Sequence, residues 1–275
     1  MILSIVCNSK TETMAGPTID YTRRFGGVAR LYGEEGAAKL AQAHVCVVGV
    51  GGVGSWAVEA LARTDVRRLS LIDLDNVAES NTNRQIQALG QEYGRAKIDV
   101  LKDRIALINP RCTVTCIEDF VDEDNVAELV PEDAVVLDCI DQVRAKAALI
   151  HLCRRRKQFV VTSGAAGGRV NPLCIKTGDL GRITGDPLLA SVRYRLRKAY
   201  GFPKGPAKPG KLPPAFNVAA VYSDEPVKKP MAGACEVDPQ PRGLACSGYG
   251  SGVVVTASMG MAAASIALNY LVEMV

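Results

Sequence analysis

Residues 44–64 read HVCVVGVGGVGSWAVEALART, and the order of residue types in that stretch decides the fold. The first seven form a short, continuous, valine-rich apolar run, the pattern of a strand buried on both faces. Glycines follow at 49, 51, 52 and 54 as G-x-G-x-x-G, and Val53, Trp56, Ala57, Ala60 and Leu61 then recur at helical spacing. Glycine allows the tight turn and the close approach that bring backbone amides and a helix N-terminus against a phosphate. The motif alone is weak, since a glycine-rich turn without a ligand has the same letters. Its place between a buried strand and a helix gives it meaning.

Working outward, RLSLID (68–73) is the next strand, and RAKIDVLKDRIALI (95–108) is an amphipathic helix halted by Asn109-Pro110. The pattern then predicts a strand at 112–117, a helix at 123–130, a strand at 134–139, a helix at 142–156 and a strand at 158–163. This alternation means an α/β fold, a Rossmann-like doubly wound, mainly parallel sheet with helices on both faces. From Asn171 the pattern changes to a strand (172–177), a basic helix (186–200), a Pro/Gly/Lys segment (201–215), a strand (216–223) and a C-terminal apolar run. The segment 201–215 has too little apolar content to fold alone and reads as a mobile loop.

The chain of 275 residues is long enough to bury a real core, and its 48% apolar and 23% charged residues suit a soluble globular protein. Net charge is +4, unevenly spread: from Arg193 to Lys229 nine basic residues face two acids, a local +7. Nine cysteines, an odd number with no Cys-x-x-Cys pair, argue for a reducing compartment and against a disulfide framework or a zinc site. The start, MILSIVCNSK, has a short apolar run with no preceding cation, so a secretory signal is not expected. Residues 1–19 read as a flexible extension, with Met14 as an alternative start. No charge occurs from Gly243 to Val272, and that run reads either as a buried or dimer-interface helix or as a membrane contact.

Asp73 closes the second strand 19 residues after Gly54, where a carboxylate accepts hydrogen bonds from ribose hydroxyls. A nicotinamide enzyme and an ATP enzyme fit equally well to this point. IDLDNVAESNTNRQ (72–85) then brings Arg84, and Lys97 opens the following helix. Two cations beyond the ribose position suit a triphosphate whose pyrophosphate departs. Either alone reads equally well as a solvated surface residue.

GVGGVGSWAVEALART, IDLDNVAESNTNRQ, GRAK (94–97) and DCID (138–141) together resemble the adenylation domain of the ubiquitin-activating-enzyme-like superfamily. Its bacterial members activate the C-termini of sulfur-carrier proteins. The resemblance covers residues 20–180, which makes that span the ATP-binding unit, with 181–275 completing the same domain. It implies that Gly49, Gly51, Gly52 and Gly54 lie against the phosphates and that Asp73 holds the ribose. It places Asn81 and Arg84 on the ATP phosphates, Lys97 on the departing pyrophosphate, and Asp141 beside the reacting phosphate and Mg²⁺. YTRRFGG (21–27) resembles the segment that lends Arg23 or Arg24 to a partner subunit's site, which implies a homodimer.

The zinc-binding Cys-x-x-Cys pairs usual in the sulfur-carrier activators are absent here. RRFGGVARLYGEEG (23–36), INPRC (108–112), EDFVDEDNV (118–126) and LACSGYGS (244–251) resemble a bacterial branch instead, the tRNA threonylcarbamoyladenosine dehydratases. That resemblance implies a cytoplasmic enzyme that uses ATP and Mg²⁺ to cyclise a modified adenosine beside the anticodon, releasing AMP and pyrophosphate. Arg193, Arg195, Arg197, Lys198, Lys204, Lys208 and Lys211, followed by Lys228 and Lys229, are candidates to neutralise tRNA phosphates, with Tyr194 and Tyr200 available for stacking. A solvated helix face would look similar. Cys246, and less so Cys235, are candidate acceptor thiols, although a small core residue explains either. The rival readings are activation of a ubiquitin-like sulfur carrier, a nicotinamide dehydrogenase, and a scaffold with sulfur-transfer partners.

Overall fold

Along β1 (His44–Val48) the side chains alternate between two cores. Val45 and Val47 join one apolar cluster and Cys46 and Val48 the other, all buried. A strand covered on both sides has no polar face to show, hence the unbroken apolar run. In the computed structural model, which describes residues 19–205, 210–228 and 249–274, β1 is an interior strand, third from one edge, of a seven-stranded sheet. The other strands are β2 (Arg68–Ile72), β3 (Thr113–Ile117), β4 (Val135–Asp138), β5 (Val160–Ser163), β6 (Ile175–Asp179) and β7 (Ala219–Ser223). Their order is β3-β2-β1-β4-β5-β7-β6, and every pairing is parallel except the antiparallel edge pair β6–β7.

One face is covered by α2 (Gly54–Arg63), α3 (Lys97–Ile108) and α7 (Val253–Glu273). The other carries α4 (Val126–Leu129), α5 (Val143–Arg156) and α6 (Pro187–Ala199). Helix α1 (Tyr21–Gln42) lies outside, against α7. Because β6 ends at Asp179 and β7 begins at Ala219, a single sheet runs through residue 180.

The charge-free C-terminal run is α7. By length and composition it could cross a membrane, with a mean hydropathy of 1.5. In the fold Val255, Met259, Ala263, Ala264, Ala267 and Leu268 are buried in the core beneath the sheet. Its small residues permit close packing: a Cβ on Gly260 would stand 2.4 Å from the carbonyl of Val53, the N-cap of α2.

Three expectations shift, and one helix, α1, comes without any. Helix α1 had no strong periodic signal, because only Phe25, Gly36 and Leu40 of its 22 residues are buried and Gly33, at φ +75, breaks it in two. The helix expected at 123–130 shrinks to one turn. Asp122 Oδ1 accepts from the amides of Asp124 and Asn125, and Asn125 Oδ1 accepts from that of Asp122, so side chains compete with the helical ladder. The strand expected at 172–177 starts three residues later, since Asn171 caps a short turn through Leu173 N. Phe216 and Val218 leave the strand expected at 216–223 because the Asp179 carboxylate takes both amides. Of the N-terminal extension only Ile19 is described; Lys208, Lys229, Cys235 and Cys246 also lie outside the described residues.

Candidate active site

A cavity of about 290 Å³ opens at the carboxyl ends of β1, β2, β4 and β5. Strand order reverses between β1 and β4, the position where open α/β sheets leave a crevice for a ligand. The turn from β1 to α2 forms its floor, with Gly49, Gly51 and Gly52 in the lining. Gly49 has φ +82, and its carbonyl would lie 1.9 Å from a Cβ on Gly54. Gly54 therefore does not line the cavity; it lets the helix start against the strand end. The amides of Gly51, Gly52 and Val53 meet no protein acceptor among the described residues, as at any free helix N-terminus.

Asp73, at the end of β2, accepts from Val50 N at 2.7 Å and Asp75 N at 2.9 Å, so the β1 turn and the β2 end share one carboxylate. Burial pushes its carboxyl above the ordinary range, with Lys97 the chief opposing influence. Lys97 is itself buried and holds Asp75 at 2.7 Å. Asp141 lies across the cavity, also raised by burial, and the Asp75 charge adds to that rise.

Arg84 lies over the glycine turn, its side chain 3.5 Å from a Cβ built on Gly52. Its guanidinium donates to Ser80 O at 2.6 Å and Asn83 Oδ1 at 3.0 Å. Its carbonyl accepts from Trp56 Nε1 of α2 at 3.0 Å and Thr256 Oγ1 of α7 at 3.2 Å. Asn83 in turn donates to Ser251 O at 2.7 Å. The C-terminal helix thus braces the arginine. Asn81 is buried at the cavity edge, its Oδ1 accepting from Ala78 N.

Beneath the DCID turn sits a fully buried charge cluster. Lys146 Nζ reaches Asp138 Oδ2 at 2.9 Å, Thr162 Oγ1 at 3.0 Å and Asp138 O at 3.1 Å, while Thr162 Oγ1 donates to Asp138 Oδ2 at 2.7 Å. All three ammonium protons have acceptors, as a buried cation requires. The remaining Asp138 oxygen accepts from Ile140 N, which fixes the turn carrying Cys139 and Asp141. Burial pushes the Cys139 thiol up to about 12. The far wall, Ser163 to Gly167, contains only small residues.

The sequence therefore brings Gly49, Gly51, Gly52, Asp73, Asn81, Arg84, Lys97 and Asp141 to one cavity. It did not single out Asp75, Gln85, Phe120, Gln142, Ser251 or Thr256, which also line it. Asp75 had a signal, standing two residues after Asp73; Thr256 had none, because α7 arrives from 172 residues along the chain from Arg84.

Arg23 and Arg24 lie elsewhere. Arg24 donates to Ile108 O at 2.9 Å and closes the end of α3, whereas Arg23 is exposed and makes no side-chain hydrogen bond or ion pair among the described residues. The basic face of α6 is partly engaged within the chain. Arg195 pairs with Glu123, Arg197 donates to Pro203 O and lies over Phe216, and Lys198 lies over Tyr194. Lys204 and Lys211 are exposed. Arg193 Nη1 and Arg195 Nε are buried without a hydrogen-bond partner in the described structure.

A family model, the ThiF family, matches residues 21–273. The chain belongs to the ThiF family. It is 46% identical over 256 residues to the tRNA threonylcarbamoyladenosine dehydratase of Escherichia coli (strain K12), covering 90% of this chain and 93% of that one. The corresponding protein of Haemophilus influenzae is 41% identical, over 92% and 95% of the two chains. The crystal structure of the E. coli tRNA N6-threonylcarbamoyladenosine dehydratase in complex with ATP superposes with a TM-score of 0.79 at 44% identity, covering 91% of this chain and 94% of that one. Within the ThiF family the molybdopterin-synthase adenylyltransferase of Salmonella typhimurium is 36% identical, but only over 50% of this chain and 55% of its own.

Proposed function

We propose that this ThiF-family chain is an ATP-dependent tRNA threonylcarbamoyladenosine dehydratase, cyclising the modified adenosine beside the anticodon. The observation that carries this is one cavity joining a ribose acid, Asp73, to two phosphate cations, Arg84 and Lys97, in a chain 46% identical over nine-tenths of its length to such an enzyme. A dehydrogenase has no need of the two cations. Molybdopterin-synthase adenylyltransferases match only half to three-fifths of the chain, at 31–36% identity.

The chemistry follows from the groups. The threonylcarbamoyl carboxylate is a poor electrophile because it has no competent leaving group. Its oxygen attacks the α-phosphorus of ATP; the α–β bond breaks and pyrophosphate leaves, giving an acyl-adenylate. A nitrogen of the same urea-like group then attacks the acyl carbon, closes a five-membered ring, gives up its proton and expels AMP. The net change in the nucleoside is loss of one water. Ring closure is intramolecular and already oriented, so no protein nucleophile is required. Arg84 and Lys97 stabilise the charge that builds on the departing pyrophosphate.

Mg²⁺ fits the donor set. Asp75 and Asp141 are carboxylates lining one cavity, and the Asp75 charge adds to the rise of the Asp141 carboxyl, an arrangement a hard oxygen-seeking cation relieves. Bound there with ATP, it would neutralise phosphate charge.

The same reading makes the enzyme a homodimer. Helix α1 begins against the far end of α3, and α3 has 12 residues, so Arg23 and Arg24 start about 18 Å from the site end of that helix. Neither serves its own cavity. Because Arg24 is committed to capping α3, Arg23 is the arginine offered to the partner. The RNA grip is the basic face of α6, with Arg193, Arg195, Arg197 and Lys198 on the helix and the exposed Lys204 and Lys211 beyond it. The six free cysteines among the described residues suit the reducing cytoplasm.

The test is ATP–pyrophosphate exchange with labelled pyrophosphate. Exchange stimulated by threonylcarbamoylated tRNA supports the proposal; exchange stimulated only by a ubiquitin-like carrier protein sinks it.

A further inference from the structure

The wall from Ser163 to Gly167 and the start of the basic helix α6 are held by one carboxylate. Asp186 is almost fully buried. Its Oδ1 accepts from Leu189 N at 2.9 Å and so caps α6, while its Oδ2 accepts from Ala165 N, in the wall, at 3.1 Å. Arg169, equally buried, donates to the same Oδ2 at 3.0 Å and reaches the carbonyls of Gly185 and Glu225. Glu225 Oε2 accepts from Val170 N at 2.9 Å and Asn171 N at 2.8 Å. The fit is tight as well as bonded, for a Cβ on Gly164 would lie 2.3 Å from Asp186 Oδ2. Leu188, two residues into α6, also lines the cavity.

The wall stands at the end of β5, on the side of β4 away from the ribose acid, so it faces the substrate that presents its carboxylate to ATP. It has no large side chain with which to hold itself, and its geometry is set from behind. A helix-capping residue ordinarily serves its own helix. Here the cap's second oxygen is a strut for the catalytic cavity.

We propose that Asp186 is a positioning residue that couples seating of RNA on α6 to the acceptor wall of the adenylation cavity. This rests on the reading of α6 as the RNA grip and of the chain as a tRNA-acting adenylating enzyme. A small rotation of α6 under the RNA moves both Asp186 oxygens together and carries Ala165 with them. Misplacing a substrate wall by about 1 Å costs roughly a hundredfold in rate.

Asp186→Asn separates the two functions. The amide oxygen still caps Leu189, but the NH₂ that replaces Oδ2 cannot accept from Ala165 N or Arg169. Asp186→Ser likewise keeps a cap and removes the strut. Single-turnover cyclisation of threonylcarbamoylated tRNA is expected to slow at least about tenfold in both variants, while KM for ATP stays within about twofold. Gly164→Ala, which forces wall and carboxylate apart, should slow the wild-type background similarly yet add little to Asp186→Ser, where the space is free. Both Asp186 variants strand the buried Arg169 and lower the melting temperature in either case; a purely structural role would alter the rate and ATP KM together, and would leave the two substitutions additive. Wild-type rates in Asp186→Asn, or additive effects at 164 and 186, would overturn the proposal. A wild-type chain that converts no threonylcarbamoylated tRNA overturns the functional reading instead, and the proposal with it.

Discussion

The two sides of the cavity are built differently. The nucleotide side, from β1 through α3, presents its chemistry on named side chains: Asp73, Arg84 and Lys97, over a glycine turn. The acceptor side, from β5 through α6, presents backbone and small residues, and its polar side chains stand behind the wall as the buried network of Asp186, Arg169 and Glu225. On the proposed function, fixed charges suit a triphosphate that never varies, and an open wall framed from behind suits a bulky nucleoside arriving on RNA. Between the two halves, Lys146 joins β4 to β5.

The largest expected effect comes from cutting that join. Lys146→Met leaves Asp138 charged and buried without its partner, and should lower unfolding free energy by about 3–5 kcal/mol in urea titration. The double variant with Asp138→Asn should recover part of the loss. Equal destabilisation by the single and double variants would show that the pair is not a unit.

Next is Arg84→Ala, which leaves intact the carbonyl held by Trp56 and Thr256 and so keeps the local backbone. Exchange of pyrophosphate should fall by about 10²–10³-fold, whereas Ser163→Ala on the opposite wall should change it by less than about tenfold. Comparable losses from both would erase the contrast between the sides.

A smaller effect is expected at Glu123, whose carboxyl is held below its usual range by Arg195 and then by Tyr200. A group with a depressed folded-state pKa contributes above the ordinary carboxylate range and loses that contribution as pH falls through its depressed value. The tie to α6 is therefore complete at neutral pH. Glu123→Gln frees Arg195 for RNA, and the plot of log binding constant against log salt should steepen by about 0.7 for one added phosphate contact. An unchanged slope would remove Arg195 from the RNA face.

The smallest expected effect is none. With its thiol pushed up to about 12 by burial, Cys139 ionises only well above neutrality, so iodoacetamide at pH 8 should leave it unmodified in peptide mass mapping. Ready alkylation would place a reactive thiol in the cavity and reopen the question of a covalent acceptor.

The nucleotide side was legible in the sequence because its parts are local. A strand, a glycine turn, a helix and an acid at the end of the next strand fall within thirty residues, and burial on both faces leaves a clear apolar run. The acceptor side was not legible, because Ala165, Asp186 and Glu225 are brought together only by the sheet, and an Asp before Pro187 reads as an ordinary helix cap. Helix α1 was missed for a different reason. It buries one thin stripe against α7, outside the layer that covers the sheet, and a helix exposed on most of its circumference shows little periodicity. Helix α7 had the opposite fault: its apolar run was plain, but length and hydropathy do not distinguish a sheet-covering helix from a membrane span. The basic helix α6 stood out by charge, yet the engagement of Arg195 by Glu123 depends on a loop 72 residues away.

The proposed function couples adenylation at this cavity to closing a ring on the RNA, and that is measurable as mass. Threonylcarbamoylated tRNA incubated with the full chain, ATP and Mg²⁺, digested to nucleosides and weighed, should show threonylcarbamoyladenosine lighter by one water, with one AMP and one pyrophosphate formed per nucleoside converted. ATP turnover without that mass change, or the mass change without AMP, would refute the mechanism.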